Sequence, residues 1–296
     1  STAIKEAQII DGLSFTSPAF KTETDSSGNV QKYMYQSIFT YVPSQQWEGR
    51  LKKFSLNDKN LPDITIWDAG EKLKSKNPDD RKIWTVGNGI EKGTSTTNNN
   101  FTTANLDYLY GPMNSGASLS TSDVESLINF VRGYDSYDED KNNNTLDERE
   151  WKLADIFHSK LQIISPPSVP SGAESERIKK LEEISNSEAA YRKQFGYESF
   201  KSQQGSRKKI ILVGSNGGML HAFDDASGEE LWAFIPPNIL PRLREIISSQ
   251  DYETNSISGV DDTPVVKDIY YDHDDNGSKT WRTIALTGLG RGGKGL

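Results

Sequence analysis

The chain has 296 residues, 34% of them hydrophobic and 10% aromatic, the balance of a folded β-rich protein and not of a disordered one. Its 42 acidic side chains against 34 basic ones give a net charge of −8, which argues against a general nucleic-acid binder, since that role needs a positive face. With no cysteine there can be no disulfide or thiolate metal site, and no apolar run reaches the roughly 18 residues of a transmembrane segment.

From the N-terminus, Ile4 to Ile10 reads as a short helix or strand, and Tyr33 to Tyr41 (YMYQSIFTY) as a strand rich in β-formers. Trp47 to Leu56 (WEGRLKKFSL) continues the sheet, and Pro62 and Asp63 lead into a further strand and turn, ITIWDAG. Ser75 to Asp80 is a polar turn and Lys82 to Val86 another strand. From Gly87 to Ser120 the composition shifts to Gly, Ser, Thr and Asn, which reads as a long surface loop or insertion. Ser122, Asp123, Val124 and Glu125 have the spacing of a capping box. Val124, Leu127, Ile128 and Val131 then fall at i, i+3, i+4 and i+7, a short helix ended by Gly133. The stretch Tyr134 to Glu150 is strongly polar, and Trp151 to Ile164 restores apolar residues. Beyond Pro166, Pro167 and Pro170, the segment Glu174 to Gln194 carries Ile178, Leu181 and Ile184 at helical spacing, a helical insertion near residues 172–200.

The segment Ile210 to Phe234 (IILVGSNGGMLHAFDDASGEELWAF) reads as three strands of an antiparallel meander, with turns at Ser215 to Gly218 and Asp224 to Glu230. Gly218 and Gly228 give those turns permissive dihedrals, and Trp232 caps the apolar layer. A short helix, Ile239 to Ile247, and a hairpin of Val265 to Tyr271 with Trp281 to Thr287 complete the chain. Gly49, Leu51 and Phe54 match Gly218, Leu220 and Phe223 in spacing, Trp67 takes the part of Trp232, and Gly295 with Leu296 starts a third copy. Repetition of one meander signature points to blades of a β-propeller: an all-β fold, incomplete here, with short helical insertions. Because the chain begins on Ser and stops inside such a unit, it is expected to be the N-terminal part of a propeller within a longer polypeptide.

Val213 to Leu243 (VGSNGGMLHAFDDASGEELWAFIPPNILPRL), followed by DDTPVVKDIYY and by Trp281 to Leu296, resembles the C-terminal propeller domain of type IV pilus tip-associated proteins of the PilY/PilC type. WEGRLKKFSL, IWDAGEKL, RKIWTV, LINFVRG and LADIFHS agree, and they stand in that family's order. The resemblance implies a non-enzymatic pilus biogenesis factor and adhesin at the cell surface or pilus tip, outer-membrane-associated or periplasmic in transit. Its implied partners are minor pilins and a host or abiotic surface, with Ca²⁺ as a control on pilus extension and retraction.

Two stretches have the chemistry to bind a hard cation. Asp138, Asp140, Asn142 and Asn144 recur every second residue, as in loops that turn oxygen ligands inward around Ca²⁺, and Asp147 or Glu148 can close the shell. The loop departs from an EF-hand: Asn143 stands where Gly is usual, and Arg149 holds the twelfth position in place of a bidentate Glu. A solvated acidic loop is the plainer reading. The family includes members with an EF-hand-like Ca²⁺ loop in the propeller, which favours a metal. Asp272, Asp274 and Asn276 begin a second such pattern, but no late carboxylate follows, and Asn276-Gly277 between strands is a hairpin signal in its own right.

His158 and His221 read as structural histidines in apolar surroundings. Tyr134 interrupts an Arg-Gly-Asp sequence at Arg132 to Asp135, and GLGRGGKGL lacks the residues of a phosphate-binding loop. Catalytic residues are not indicated. Two alternatives remain open: a quinoprotein-like dehydrogenase, suggested by Asp224, Gly228 and Trp232, and a generic extracellular propeller that binds carbohydrate or a host receptor.

Overall fold

Branched and aromatic residues alternating across a pleat open the fold. In the computed structural model they form β1 (Ala19–Thr24), β2 (Val30–Thr40), β3 (Glu48–Leu56) and β4 (Pro62–Asp68), an antiparallel sheet in the order β1-β2-β3-β4. The structure describes residues 14, 16–24, 27–87, 89, 98–167, 172–247 and 253–293. The Ile4 to Ile10 element and the copy beginning at Gly295 lie outside them. These residues fall into two compact units, the larger formed by residues up to 162, 211–264 and from 287 on, the smaller by 163–210 and 265–286.

In the larger unit β4 runs straight into α1 (Ala69–Lys74), because the Asp68 carboxylate accepts the N–H groups of Gly70 and Glu71 and so caps the helix. A second sheet has β5 (Ile83–Trp84), then, after a short strand β6 (Gln162–Ile164), β7 (Ile210–Gly214), β8 (Leu220–Asp224) and β9 (Glu230–Phe234). Within this unit its order is β5-β9-β8-β7, the expected meander. Of the Lys82 to Val86 stretch only Ile83 and Trp84 pair, in parallel with Ala233 and Phe234.

The repeated skeleton appears in the register. The β3/β4 ladder shifts between Lys53 and Phe54 and the β8/β9 ladder between Ala222 and Phe223, immediately before the Phe of each copy. Trp67 lies opposite Lys53 and Trp232 opposite Ala222, so each Trp faces the residue preceding that Phe. A bulge at this point lets one strand bury side chains on both faces, and Leu51, Phe54 and Phe223 are fully buried. The two sheets meet at Asp225: Tyr35 Oη donates to its Oδ1 (2.6 Å), Lys53 Nζ to its Oδ2 (3.0 Å), and Trp67 Nε1 to its carbonyl (3.0 Å). Gly49 is required where the Leu153–Ala154 backbone packs against β3, since a Cβ there would lie 2.0 Å from the Ala154 carbonyl oxygen.

Three elements differ from the sequence expectation. The Gly/Ser/Asn-rich stretch holds a helix, α2 (Leu106–Met113), because Leu109 and Met113, one turn apart, are buried with Phe101. Helix α3 (Thr121–Arg132) is capped at Ser120, not Ser122: Ser120 Oγ accepts Asp123 N–H (3.1 Å), and Asp123 Oδ2 accepts Ser120 N–H (2.8 Å). Gly133 ends it at φ 124°. The apolar stretch after Pro236 forms a 3₁₀ helix over Pro237–Ile246, with Pro241 inside.

In the smaller unit, α4 (Gly172–Glu182), α5 (Glu188–Gln194) and α6 (Tyr197–Gln203) accompany the antiparallel hairpin of β10 (Val265–Tyr271) and β11 (Thr280–Leu286). Its centre is aromatic: Trp281 packs 4.7 Å from Tyr197 and 5.4 Å from Tyr270, and its indole N–H donates to the Phe195 carbonyl at 2.8 Å.

Candidate metal centre

The acidic loop hangs from the end of α3. Its neck is closed by backbone bonds: Arg149 N–H donates to Gly133 carbonyl (2.9 Å), Asp135 N–H to Asp147 carbonyl (2.8 Å), and Tyr134 bridges Glu148. Within it the side chains that alternate along the sequence turn the backbone inward. Asp140 Oδ1 accepts the N–H of Asn142 (3.0 Å), Asn142 Oδ1 that of Asn144 (2.7 Å), Asn144 Oδ1 that of Leu146 (3.2 Å), and Asp138 Oδ1 that of Asn143 (3.0 Å). Asn143, in the place where Gly is usual, sits at φ 64°, a conformation Asn tolerates.

This winding brings carboxylate oxygens of Asp135, Asp138 and Asp140 within 4.8 Å of one another. The Asn142 amide donates to Asp140 Oδ2 (2.7 Å) and to Asp147 Oδ2 (2.8 Å), joining two carboxylates that would otherwise repel. Asp147 Oδ1 is buried and has no hydrogen-bond partner. Three converging carboxylates could hold a hard cation such as Ca²⁺, and Asp147 Oδ1, on the same loop, is a buried oxygen without a donor. Asp135 was missed by the every-second-residue pattern because it lies three positions before Asp138; only extending the acidic run backwards through Tyr134 to Glu150 would have found it. Burial pushes its carboxyl above the ordinary range, against the N–H groups of Glu139 and Asp140 that favour the anion.

Arg149, the residue in the twelfth position, is turned to other work. Its Nε donates to Glu139 Oε2 (2.9 Å), and its guanidinium lies 3.8 Å from the centre of the Phe130 ring. Glu139 also accepts Thr254 Oγ1, and its carbonyl accepts Gln45 Nε2 at 2.9 Å. Lys152, buried, holds Glu148 together with the carbonyls of Lys74 and Lys76. A cavity of about 500 Å³ opens beside the loop, lined by Asp138, Glu139, Lys141 and Thr145.

The other loop is built as a turn. Asp272 Oδ1 and Oδ2 accept the N–H groups of Asn276 and Gly277, Asn276 Oδ1 accepts that of Ser278, and Asp274 pairs with His273 at 3.1 Å. Both remaining histidines have carboxylate partners. His221 Nδ1 is 2.8 Å from Glu230 Oε1 and its Nε2 3.0 Å from Ser215 Oγ; His158 Nδ1 is 2.7 Å from Asp261 Oδ2. Ser215, His221 and Glu230 are hydrogen-bonded in the manner of a serine–histidine–acid relay, and all three side chains are buried.

Two bulged meanders, and an acidic, inward-turned loop at the end of α3, define the class: a sheet protein with short helices and a candidate cation centre. The chain belongs with the type IV pilus biogenesis factors of the PilY1 type. It is 26% identical to the type IV pilus biogenesis factor PilY1 of Pseudomonas aeruginosa strain UCBPP-PA14 over 96% of its own length and 22% of that protein. It is 31% identical to a PilY1 homolog of Xylella fastidiosa over 70% of its own length and 14% of that protein. The chain therefore spans about a fifth or less of the length of these relatives. No family model and no solved structure matches it. No helix among the described residues is long and apolar enough to cross a membrane.

Proposed function

We propose that this chain is part of a β-propeller that serves type IV pilus biogenesis at the cell surface without enzymatic activity, and that Ca²⁺ bound in the Asp135 to Asp147 loop controls it. The likeness to PilY1 proteins along nearly the whole chain supports the pilus role, and the four-stranded meander β1 to β4 with its repeated bulge supports blades. Minor pilins and a host or abiotic surface are the partners this role implies. The observation that carries the metal reading is the convergence of the Asp135, Asp138 and Asp140 carboxylates within 4.8 Å, on a loop whose Asp147 Oδ1 is buried without a partner.

Asp135, Asp138, Asp140 and Asp147 would hold the ion, with Asn142 and Asn144 supplying further oxygens. Calcium removes the repulsion among these carboxylates. Because Glu139 and Arg149 anchor the loop to Thr254, Gln45 and Phe130, an ordered loop presents a fixed surface and an unbound one a looser surface.

The test is calorimetric titration of Ca²⁺ into wild type, Asp138→Ala with Asp140→Ala, and Asp272→Ala with Asp274→Ala. Saturable binding lost only in the first variant supports the reading. Loss only in the second moves the site to the hairpin, and no binding to wild type removes calcium from the proposal while leaving the pilus role standing.

A further inference from the structure

A second concavity, of about 330 Å³, opens at the β2–β3 loop, and its walls carry aromatic and polar groups that neither the metal centre nor the pilus reading uses. Trp47 and Tyr41 come from that loop and Phe157 from the chain after Trp151. The floor is fixed. Trp47 N–H donates to Ser256 Oγ (3.0 Å), Ser256 Oγ donates to Asp155 Oδ1 (2.5 Å), and Asn216 Nδ2 to Asp155 Oδ2 (2.7 Å), so both oxygens of this buried acid are engaged. The Trp47 ring is backed by Phe39, stacked at 5.5 Å and 12°, and flanked edge-on by Tyr41 at 5.4 Å. Such a ring is held in place before any ligand arrives.

Around this platform stand polar groups that the protein itself does not engage. Among the described residues, the Trp47 indole N–H, the Tyr41 hydroxyl, the Asn255 amide and the Arg291 guanidinium have no hydrogen-bond partner, although all four residues line the cleft. Arg291 rests over the Phe157 ring at 5.5 Å, and Tyr41 is 59% exposed at the rim. An apolar ligand would leave these donors and acceptors idle and desolvated, which costs affinity. A compact anion would sit against Asp155 and Asp261, both of which line the same cleft. The remaining chemistry is a ring that is apolar on its C–H face and hydroxylated around its edge. The volume lies at the lower end of the roughly 300–1,000 Å³ of small-ligand pockets, which suits a sugar of one or two rings.

We propose that this cleft is a saccharide-binding site, with Trp47 as the stacking platform and Tyr41, Asn255 and Arg291 as partners for ring hydroxyls.

The experiment is saturation-transfer NMR of the 296-residue chain against a panel of defined neutral and acidic oligosaccharides, N-acetyllactosamine and its sialylated form among them. A chelator is present throughout, so that the acidic loop plays no part. Binding is expected for at least one sugar, weakened about tenfold in Trp47→Ala and severalfold in Tyr41→Phe and Arg291→Gln, and unchanged in Asp138→Ala with Asp140→Ala. The two rim substitutions leave the packed floor untouched and keep the test valid if Trp47→Ala does not fold. A panel without a binder, or binding that all three cleft variants retain at wild-type strength, overturns the site and leaves the calcium reading as it was.

Discussion

Arg81 and Glu230 meet through two parallel hydrogen bonds of 2.9 Å, with neither side chain exposed. Arg81 stands just before β5 and Glu230 opens β9, so the pair sets the parallel register of those strands. Arg81 Nη1 reaches on to the carbonyls of Val131 and Arg132 and ties in the end of α3. Complete burial opposes a charge on Glu230, but Arg81 and His221 outweigh it and hold the carboxyl well below its ordinary range.

Removing one partner strands the other charge in the core. Glu230→Gln and Arg81→Met are each expected to cost about 3–5 kcal/mol, read by urea unfolding. The depressed carboxyl gives a sign as well: its contribution is present above the unfolded Glu value of about 4.3 and is lost as pH falls through the folded value. A loss under about 1 kcal/mol in either variant would show that the pair is not integral to the fold.

Gly228 sits at φ 76°, and a Cβ there would lie 2.8 Å from Cδ2 of Trp67. Gly228→Ala therefore combines left-handed strain with a clash against a buried ring, about 2–4 kcal/mol together. Gly277, at φ 82° with nothing within 4 Å, isolates the first effect, and Gly277→Ala should cost only about 1–2 kcal/mol. Equal losses of melting temperature in the two variants would refute the packing part of the argument.

The meander Ile210 to Phe234 was legible because its apolar runs are separated by glycine turns, and the Gly49, Leu51, Phe54 repeat because register follows spacing. Helix α2 was not, because a window dominated by Gly, Ser and Asn hides two apolar residues one turn apart. The every-second-residue rule picked out Asp138 and Asp140 of the acidic cluster but passed over Asp135, and the Arg149 that it marked as a departure from a calcium loop is paired with Glu139. Long-range pairs such as Arg81 with Glu230 or Tyr35 with Asp225 leave no local pattern at all, since they join residues about 150 to 190 positions apart.

Asp155 offers a pH test. Burial pushes its carboxyl up, partly countered by the hydrogen bonds from Ser256 and Asn216. A raised folded value means the native state holds the proton more tightly. The contribution is full below the unfolded Asp value of about 3.9 and fades as pH rises through the folded one. In thermal melts across pH, wild type should gain on Asp155→Asn as the solution is acidified through that window. A difference between the two that stays flat with pH would mean that Asp155 titrates as an ordinary carboxylate.

Asp147 separates a metal ligand from a structural acid. In the absence of metal its Oδ1 is buried without a donor, a cost to the fold, while Oδ2 accepts from Asn142. Asp147→Asn removes the charge and keeps the shape, so the metal-free protein should be no less stable than wild type. With Ca²⁺ at about a hundredfold its dissociation constant, wild type should gain about 2.7 kcal/mol, and the variant should lose most of that gain because an amide is a poorer ligand than a carboxylate. Asp272→Ala should keep the full gain. Scanning calorimetry with and without calcium decides the matter: an equal gain in wild type and Asp147→Asn removes Asp147 from the site, and a metal-free Asp147→Asn that melts well below wild type makes this residue a structural acid instead.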